Sequence, residues 1–169
     1  MRRLLNPLSS TRGFTTMELI IAVAILSILL AIATSSVDTL KARTRSAEAR
    51  ANMDAIAQAG YSDFTTHNDW APMPAAVGTM PARFASQGLL AEWPRPPCVG
   101  WFYSWESLIG TDDYVRVALR RADGAPIWSY CVSVSKGADC NAVDPITGVT
   151  PVEISLVHQR HLYCDGTAE

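Results

Sequence analysis

From Leu19 to Ala33 the chain carries no charge and a single polar side chain, Ser27. A bilayer core of about 30 Å requires about 20 helical residues, and Phe14 to Val37 supplies that length if Glu18 is accommodated. This run makes a purely cytosolic enzyme a poor reading. The rest of the 169 residues is long enough for one domain with a moderate core. At 49% hydrophobic and 18% charged, the chain is too apolar to be disordered. Lys and Arg number 14 against 16 Asp and Glu, so the net charge of -2 offers no basic field and no specific nucleic-acid partner is expected. Every cysteine lies beyond residue 97. The composition therefore splits into a membrane-inserted N-terminus and a soluble domain in an oxidising compartment.

The first twelve residues hold Arg2, Arg3 and Arg12 and no acid. Basic residues ahead of an apolar run keep the N-terminus in the cytoplasm. Lys41, Arg43, Arg45 and Arg50 follow the run and weaken that inference, so orientation leans on the cysteines. Two plain readings compete: a secretory signal peptide cut after Ala31-Ile32-Ala33, leaving a start at Thr34, and a simple single-pass anchor. Both leave Glu18 unexplained. A carboxylate in a membrane helix costs up to roughly 2.5–3.5 kcal/mol and usually has a partner. Cutting after Gly13 supplies one, because the new amine of Phe14 can answer Glu18. Residues 14 and 18 share a helix face.

Gly13-Phe14-Thr15-x-x-Glu18 behind a short basic leader resembles the class III signal of type IV prepilins and the related pseudopilins. The resemblance implies that a membrane aspartyl peptidase cuts after Gly13 and that Phe14 becomes the N-methylated first residue. It also implies that Glu18 pairs with the amine of a neighbouring subunit during assembly, setting register through an ion pair. Met17, Ser27 and Ser35 depart from the family's common choices. The last two stand where many members carry the helix breakers Gly and Pro, so this stem is expected to be more continuous. Cys164 to Glu169 and the text from Ala47 to Phe64 are similar to pilins of myxobacterial type.

No Gly or Pro occurs from Phe14 to Ala59, which read as one helix is about 70 Å long. Val37, Leu40, Thr44, Ala47 and Ala51 follow helical spacing, and Met53, Ile56, Ala57, Gly60 and Phe64 carry on with a shifted stripe. This half should pack beneath a sheet, with Lys41, Arg43, Arg45 and Arg50 on a solvated face or paired with acids of adjacent subunits. Six of the ten prolines fall between Trp70 and Gly100, which argues for irregular structure. Trp70, Trp93, Trp101 and Trp105 are expected to plug gaps between loop and helix, with an exposed sugar-binding patch as the alternative. Tyr114–Arg120 and Ile127–Ser135 alternate as strands around a turn at Asp123-Gly124. Glu153–His158 gives a third strand and Trp101–Trp105 a fourth.

Cys98, Cys131, Cys140 and Cys164 form an even set that fits two disulfides with three possible connectivities. The family resemblance implies Cys140–Cys164 with Cys98–Cys131. Zinc on these thiols with His158 and His161 is disfavoured because no C-x-x-C pair exists. Asp139, Asn141 and Asp144 read as Asx-rich turn chemistry, with a calcium loop as the lesser alternative, and Asp112-Asp113 reads as a solvated turn. No catalytic constellation, metal centre or cofactor site is expected, so the chain is not read as an enzyme.

The expected fold is α+β: one long N-terminal helix against a small antiparallel sheet. Residues 1–13 form a cleaved basic leader, 14–37 the membrane and assembly helix, 38–66 its amphipathic continuation and 67–169 a globular head. Removing the leader takes three Arg away and leaves 11 basic against 16 acidic side chains, a net charge of -5. The resemblance implies a structural subunit of a type IV pilus that displays its head for adhesion or motility, or alternatively a pseudopilin of type II secretion. Its implied partners are further copies of itself, the prepilin peptidase and the inner-membrane assembly machinery. The subunit would start as a single-pass inner-membrane protein with its head outside, then move to a pilus or periplasmic pseudopilus.

Overall fold

The computed structural model describes residues 13–109, 114–134, 139–140, 144, 147–153 and 161–164. The chain divides into two compact units, 1–39 and 40–169. Helix α1 (Thr16–His67) runs without interruption through Ser27 and Ser35. Its interior up to Ala59 contains no helix breaker, and its residues are mostly the strong helix formers Ala, Leu, Met, Glu, Lys and Arg. In the first unit the helix turns Met17, Ile20, Leu26, Leu30 and Ile32 outward with most of their surface uncovered. Its apolar stretch is long enough to cross a membrane by length and composition. Ser27 satisfies its hydroxyl by donating to the Val23 carbonyl at 2.8 Å, the back-bonding that lets a helix carry serine in apolar surroundings.

In the second unit α1 ends at Asn68, which takes a left-handed φ of 54° and donates its N–H to the Phe64 carbonyl at 2.7 Å. Asparagine tolerates this αL position better than other residues with a Cβ. A short helix α2 (Ala82–Ser86) interrupts the proline-rich segment. Four strands follow: β1 (Phe102–Ser107), β2 (Tyr114–Arg120), β3 (Pro126–Val134) and β4 (Val152–Glu153). They lie in the order β1-β2-β3-β4. The β2–β3 turn is closed by Gly124 at φ 85° and by the Asp123 carboxylate, which accepts the Ala125 N–H.

The first three strands are antiparallel and the fourth is parallel to the third, through Trp128↔Val152 and Ser129↔Glu153. The sheet is therefore mixed, where alternation suggested an antiparallel one. The chain leaves β3 at Val134 and re-enters the sheet at Val152, a crossover long enough to return it to the same end. The third strand read from the sequence is described only at Glu153, and residues 154–160 lie outside the described residues.

Met53, Ile56 and Ala57 of α1 share one core with Tyr103, Trp105, Val115, Val117, Leu119 and Trp128. The second of the two expected helix stripes is thus buried, with Phe64 half-buried. The first is not: Val37, Leu40, Thr44, Ala47 and Ala51 are exposed, and Ala42, Ser46 and Ala49 are buried in their place. The reason is close approach. Leu162 is fully buried and its N–H donates to the Ser46 hydroxyl at 2.8 Å, so the covered face of α1 needs small side chains.

The tryptophans behave as core. Trp101 and Trp105 are buried, and Trp70 and Trp93 pack against the same cluster. Trp105 lies over Gly60, donates its indole N–H to the Ala71 carbonyl at 2.8 Å and meets Phe84 edge-on at 5.2 Å. Of the four basic residues of this half, Arg50 places its guanidinium 5.7 Å from the Trp128 ring centre. Arg43 donates through Nε to His161 Nε2 at 3.1 Å.

The disulfides are Cys98–Cys164 and Cys131–Cys140, which overturns the pairing Cys140–Cys164 with Cys98–Cys131. Cys131 stands opposite Arg116 in the β2–β3 register, and the backbone at Cys140 is drawn to that same arginine. Cys98 is buried in the cluster that Leu162 also enters, which brings Cys164 within a Cα distance of 5.5 Å. Connectivity follows which face each segment covers, and sequence order does not report that.

Candidate functional site

Gly13, Phe14 and Glu18, the residues singled out for processing and assembly, lie together at the exposed start of α1. A Cβ on Gly13 would meet nothing within 4 Å, and its φ is not left-handed, so the described fold places no demand for glycine there. Phe14 leaves 82% of its surface uncovered. Thr15 caps the helix. Its backbone N–H and hydroxyl donate to Glu18 Oε2 at 2.9 and 2.8 Å, and the Glu18 N–H donates back to the hydroxyl at 3.2 Å. This reciprocal capping box engages one carboxylate oxygen. The T-x-x-E signature of Thr15 to Glu18 was legible beside the apolar run, and the reading of Glu18 as a group awaiting an external amine passed over it.

The head contains two ionic clusters that sequence reasoning missed. Alternation sends Val115, Val117 and Leu119 into the core and puts Arg116 and Arg120 on the opposite face of β2, yet all seven residues of β2 are buried. Arg116 is 1% exposed. It donates through Nε to Glu106 at 2.6 Å, through Nη2 to Asp144 at 3.2 Å and through Nη1 to the Cys140 carbonyl at 3.1 Å. Arg120 donates to Glu106 and Asp144 at 2.8 and 2.7 Å and to the Gly124 carbonyl at 2.6 Å. Ser104 joins through its hydroxyl to Glu106 at 2.6 Å. Burial by itself would lower the Arg120 pKa, but the charges and hydrogen bonds of Glu106 and Asp144 outweigh it and raise it.

Asp144, weighed above as a calcium ligand, therefore already has its charge answered by two guanidinium groups. Asn141 and Asp112-Asp113 lie outside the described residues. All four cysteines are in disulfides, so none offers a thiolate to zinc. His158 also lies outside the described residues.

The second cluster closes the far end of α1. Asp63 is fully buried and accepts from Arg83 Nε and Nη2 at 3.1 and 2.6 Å and from Gln87 at 2.8 Å. Arg83 also donates to the carbonyls of Asp69 and Trp70. One guanidinium thus ties α2 to the helix end and to the chain leaving it.

Tyr103 is buried against the same helix, and desolvation pushes its pKa up to about 12 even though Asn52 donates to its hydroxyl at 3.3 Å. An unfolded tyrosine ionises near 10, so between these values the unfolded state binds fewer protons and stability falls as pH rises. Tyr103→Phe should remove a loss of roughly 2–3 kcal/mol between pH 10 and 12, read by urea unfolding at each pH. Equal alkaline losses in both proteins would contradict this.

A long apolar helix, begun by a capped Gly-Phe-Thr-x-x-Glu motif and continued beneath a small disulfide-bounded sheet, is the organisation of a pilin-like protein. The chain is 38% identical over 72 residues to the type IV major pilin protein PilA of Myxococcus xanthus, strain DK1622. That match covers 43% of this chain and 33% of the relative, so it spans about a third of the relative's length. It bears out the resemblance to type IV pilins drawn from the N-terminal motif. No family model and no solved structure matches the chain.

Proposed function

We propose that the protein is a structural subunit of a type IV pilus, cut between Gly13 and Phe14 and methylated on the new amine. The single observation that carries this reading is the N-terminal constellation. It comprises an exposed glycine that the fold does not require, an exposed phenylalanine, and a carboxylate held at the start of an uncovered apolar helix. Before assembly the helix from 14 to 37 sits in the inner membrane, with the leader 1–13 in the cytoplasm and the head outside. Extraction into a fibre buries the exposed apolar residues against other stems. The free oxygen of Glu18 receives the amine of a neighbouring Phe14, and heads made of residues 67–169 with the helix 38–66 tile the surface. Peptidase, assembly machinery and further copies are the partners this requires.

Intact mass and N-terminal peptide mapping of protein from the native envelope test the processing step. A start at N-methyl-Phe14 is expected, whereas a start at Thr34 would mean a secreted domain and would sink the proposal. Glu18→Ala should leave that cleavage unchanged and abolish fibres in electron micrographs of sheared preparations. Normal fibres built from the mutant would remove Glu18 from assembly. Deleting the gene should cost the cell its pili; intact pili with lost protein secretion would instead assign the subunit to a transport machine.

A further inference from the structure

We propose that Arg43 and Arg45, with Lys41 beside them, bind the phosphate groups of anionic lipid heads where α1 leaves the membrane. The inference rests on the proposed topology, in which the helix from 14 to 37 spans the bilayer and the head lies outside. Basic residues belong on the cytoplasmic side of a span, yet Lys41, Arg43, Arg45 and Arg50 all follow this one. Lipid phosphate gives these charges a reason to stand on the outer side.

The surrounding protein leaves the two guanidinium groups with donors to spare. Arg45 makes no hydrogen bond or ion pair among the described residues. Arg43 uses only Nε, which donates to His161 Nε2 at 3.1 Å, so both Nη groups keep their protons for another acceptor. Glu48, three residues after Arg45, forms no ion pair with it among the described residues, and its charge is felt instead at Tyr103.

Their placement suits lipid heads. The face of α1 that the head covers is Ala42, Ser46 and Ala49. At about 100° per residue, Arg43 flanks that face on one side, and Lys41 and Arg45 flank it on the other. Lys41 and Arg43 are exposed and Arg45 is half-buried. A docking protein would touch one side of the helix, whereas lipid heads meet it on every uncovered side. Along α1, Lys41 to Arg45 lie roughly 6–12 Å past residue 37, and a headgroup layer is about 5–8 Å thick. Side chains on a helix lean toward its N-terminus, so these long cations reach back toward the bilayer.

The test is the lipid selectivity of the full chain reconstituted in phosphatidylcholine bilayers, read by electron spin resonance. The probes are spin-labelled phosphatidylglycerol and phosphatidylcholine. Every protein carries Arg2→Gln/Arg3→Gln/Arg12→Gln, which takes the leader's cations out of the measurement. In this background the chain should prefer phosphatidylglycerol about fivefold, and Arg43→Gln/Arg45→Gln should bring the preference below about twofold. Arg43→Lys/Arg45→Lys should keep it, because phosphate accepts from either cation. Arg45→Gln alone spares the Arg43–His161 bond and should still weaken the preference, with the near-ultraviolet signal of the buried tryptophans retained.

Sodium chloride should screen the preference, and sodium phosphate at equal ionic strength should lower it no further. A larger loss in phosphate would assign the site to the free anion and overturn the lipid partner. Absence of any preference in the background chain, or an equal preference in the glutamine variant, would overturn the proposal. Lost fibres with an unchanged lipid preference in that variant would likewise overturn it, assigning the arginines to contacts between subunits. N-terminal mapping judges the topology separately. A start at N-methyl-Phe14 without lipid preference overturns this inference alone, whereas a start at Thr34 removes the span and overturns both.

Discussion

Asp144→Asn should destabilise the head by about 3–5 kcal/mol in urea unfolding, the cost of leaving a buried charge without its partner. Two guanidinium groups would then face Glu106 alone, and with its one amide oxygen held by the Thr147 N–H, asparagine would turn an NH2 donor toward them. The stabilisation is a matter of charge balance more than of any one bond. Adding Arg120→Met to the variant restores one cation against one anion, so the double variant should lose less than Asp144→Asn does alone. If the two losses simply add, the sites are independent and the four-residue network is not a unit.

Gly60→Ala should cost about 2 kcal/mol, even though alanine favours a helix by up to about 1 kcal/mol over glycine. The added Cβ would fall 2.2 and 2.6 Å from two ring atoms of Trp105. That ring cannot swing aside. It is fully buried, its indole N–H is held by Ala71 and its flanks meet Phe84 and Trp70. Thermal unfolding of Gly60→Ala in a Trp105→Leu background should show a smaller loss than in the parent, because the clashing atoms are gone. An equal loss in both backgrounds would place the role of Gly60 elsewhere.

These two sites mark where sequence reasoning stopped. The run from Leu19 to Ala33 and the absence of breakers up to Ala59 dictate a long helix, since such features act within a few turns of themselves. The alternation of Val115, Val117 and Leu119 likewise dictates a strand with one apolar face. The capping box of Thr15 and Glu18 was equally local and equally readable. The choice between the Val37–Ala51 stripe and the Ala42–Ala49 face was different, because it depends on how closely Leu162 approaches the helix. Nothing in helix periodicity carries that distance.

What the sequence determined by itself is therefore the helix, the strands, the motif at Gly13 to Glu18 and an even set of oxidisable cysteines. Each rests on contacts between residues a few positions apart. Tertiary structure decided the rest: which cysteines meet, that β4 runs parallel to β3, and that Arg116 and Arg120 are buried. The physical reason is the same in all three. A segment distant along the chain comes to cover the element: Asp144 and Cys140 reach partners on β2 and β3, Leu162 enters the core that holds Cys98, and Val152 pairs with Trp128. Local propensity encodes the shape of each element, while burial of its second face is set by whichever distant segment comes to cover it.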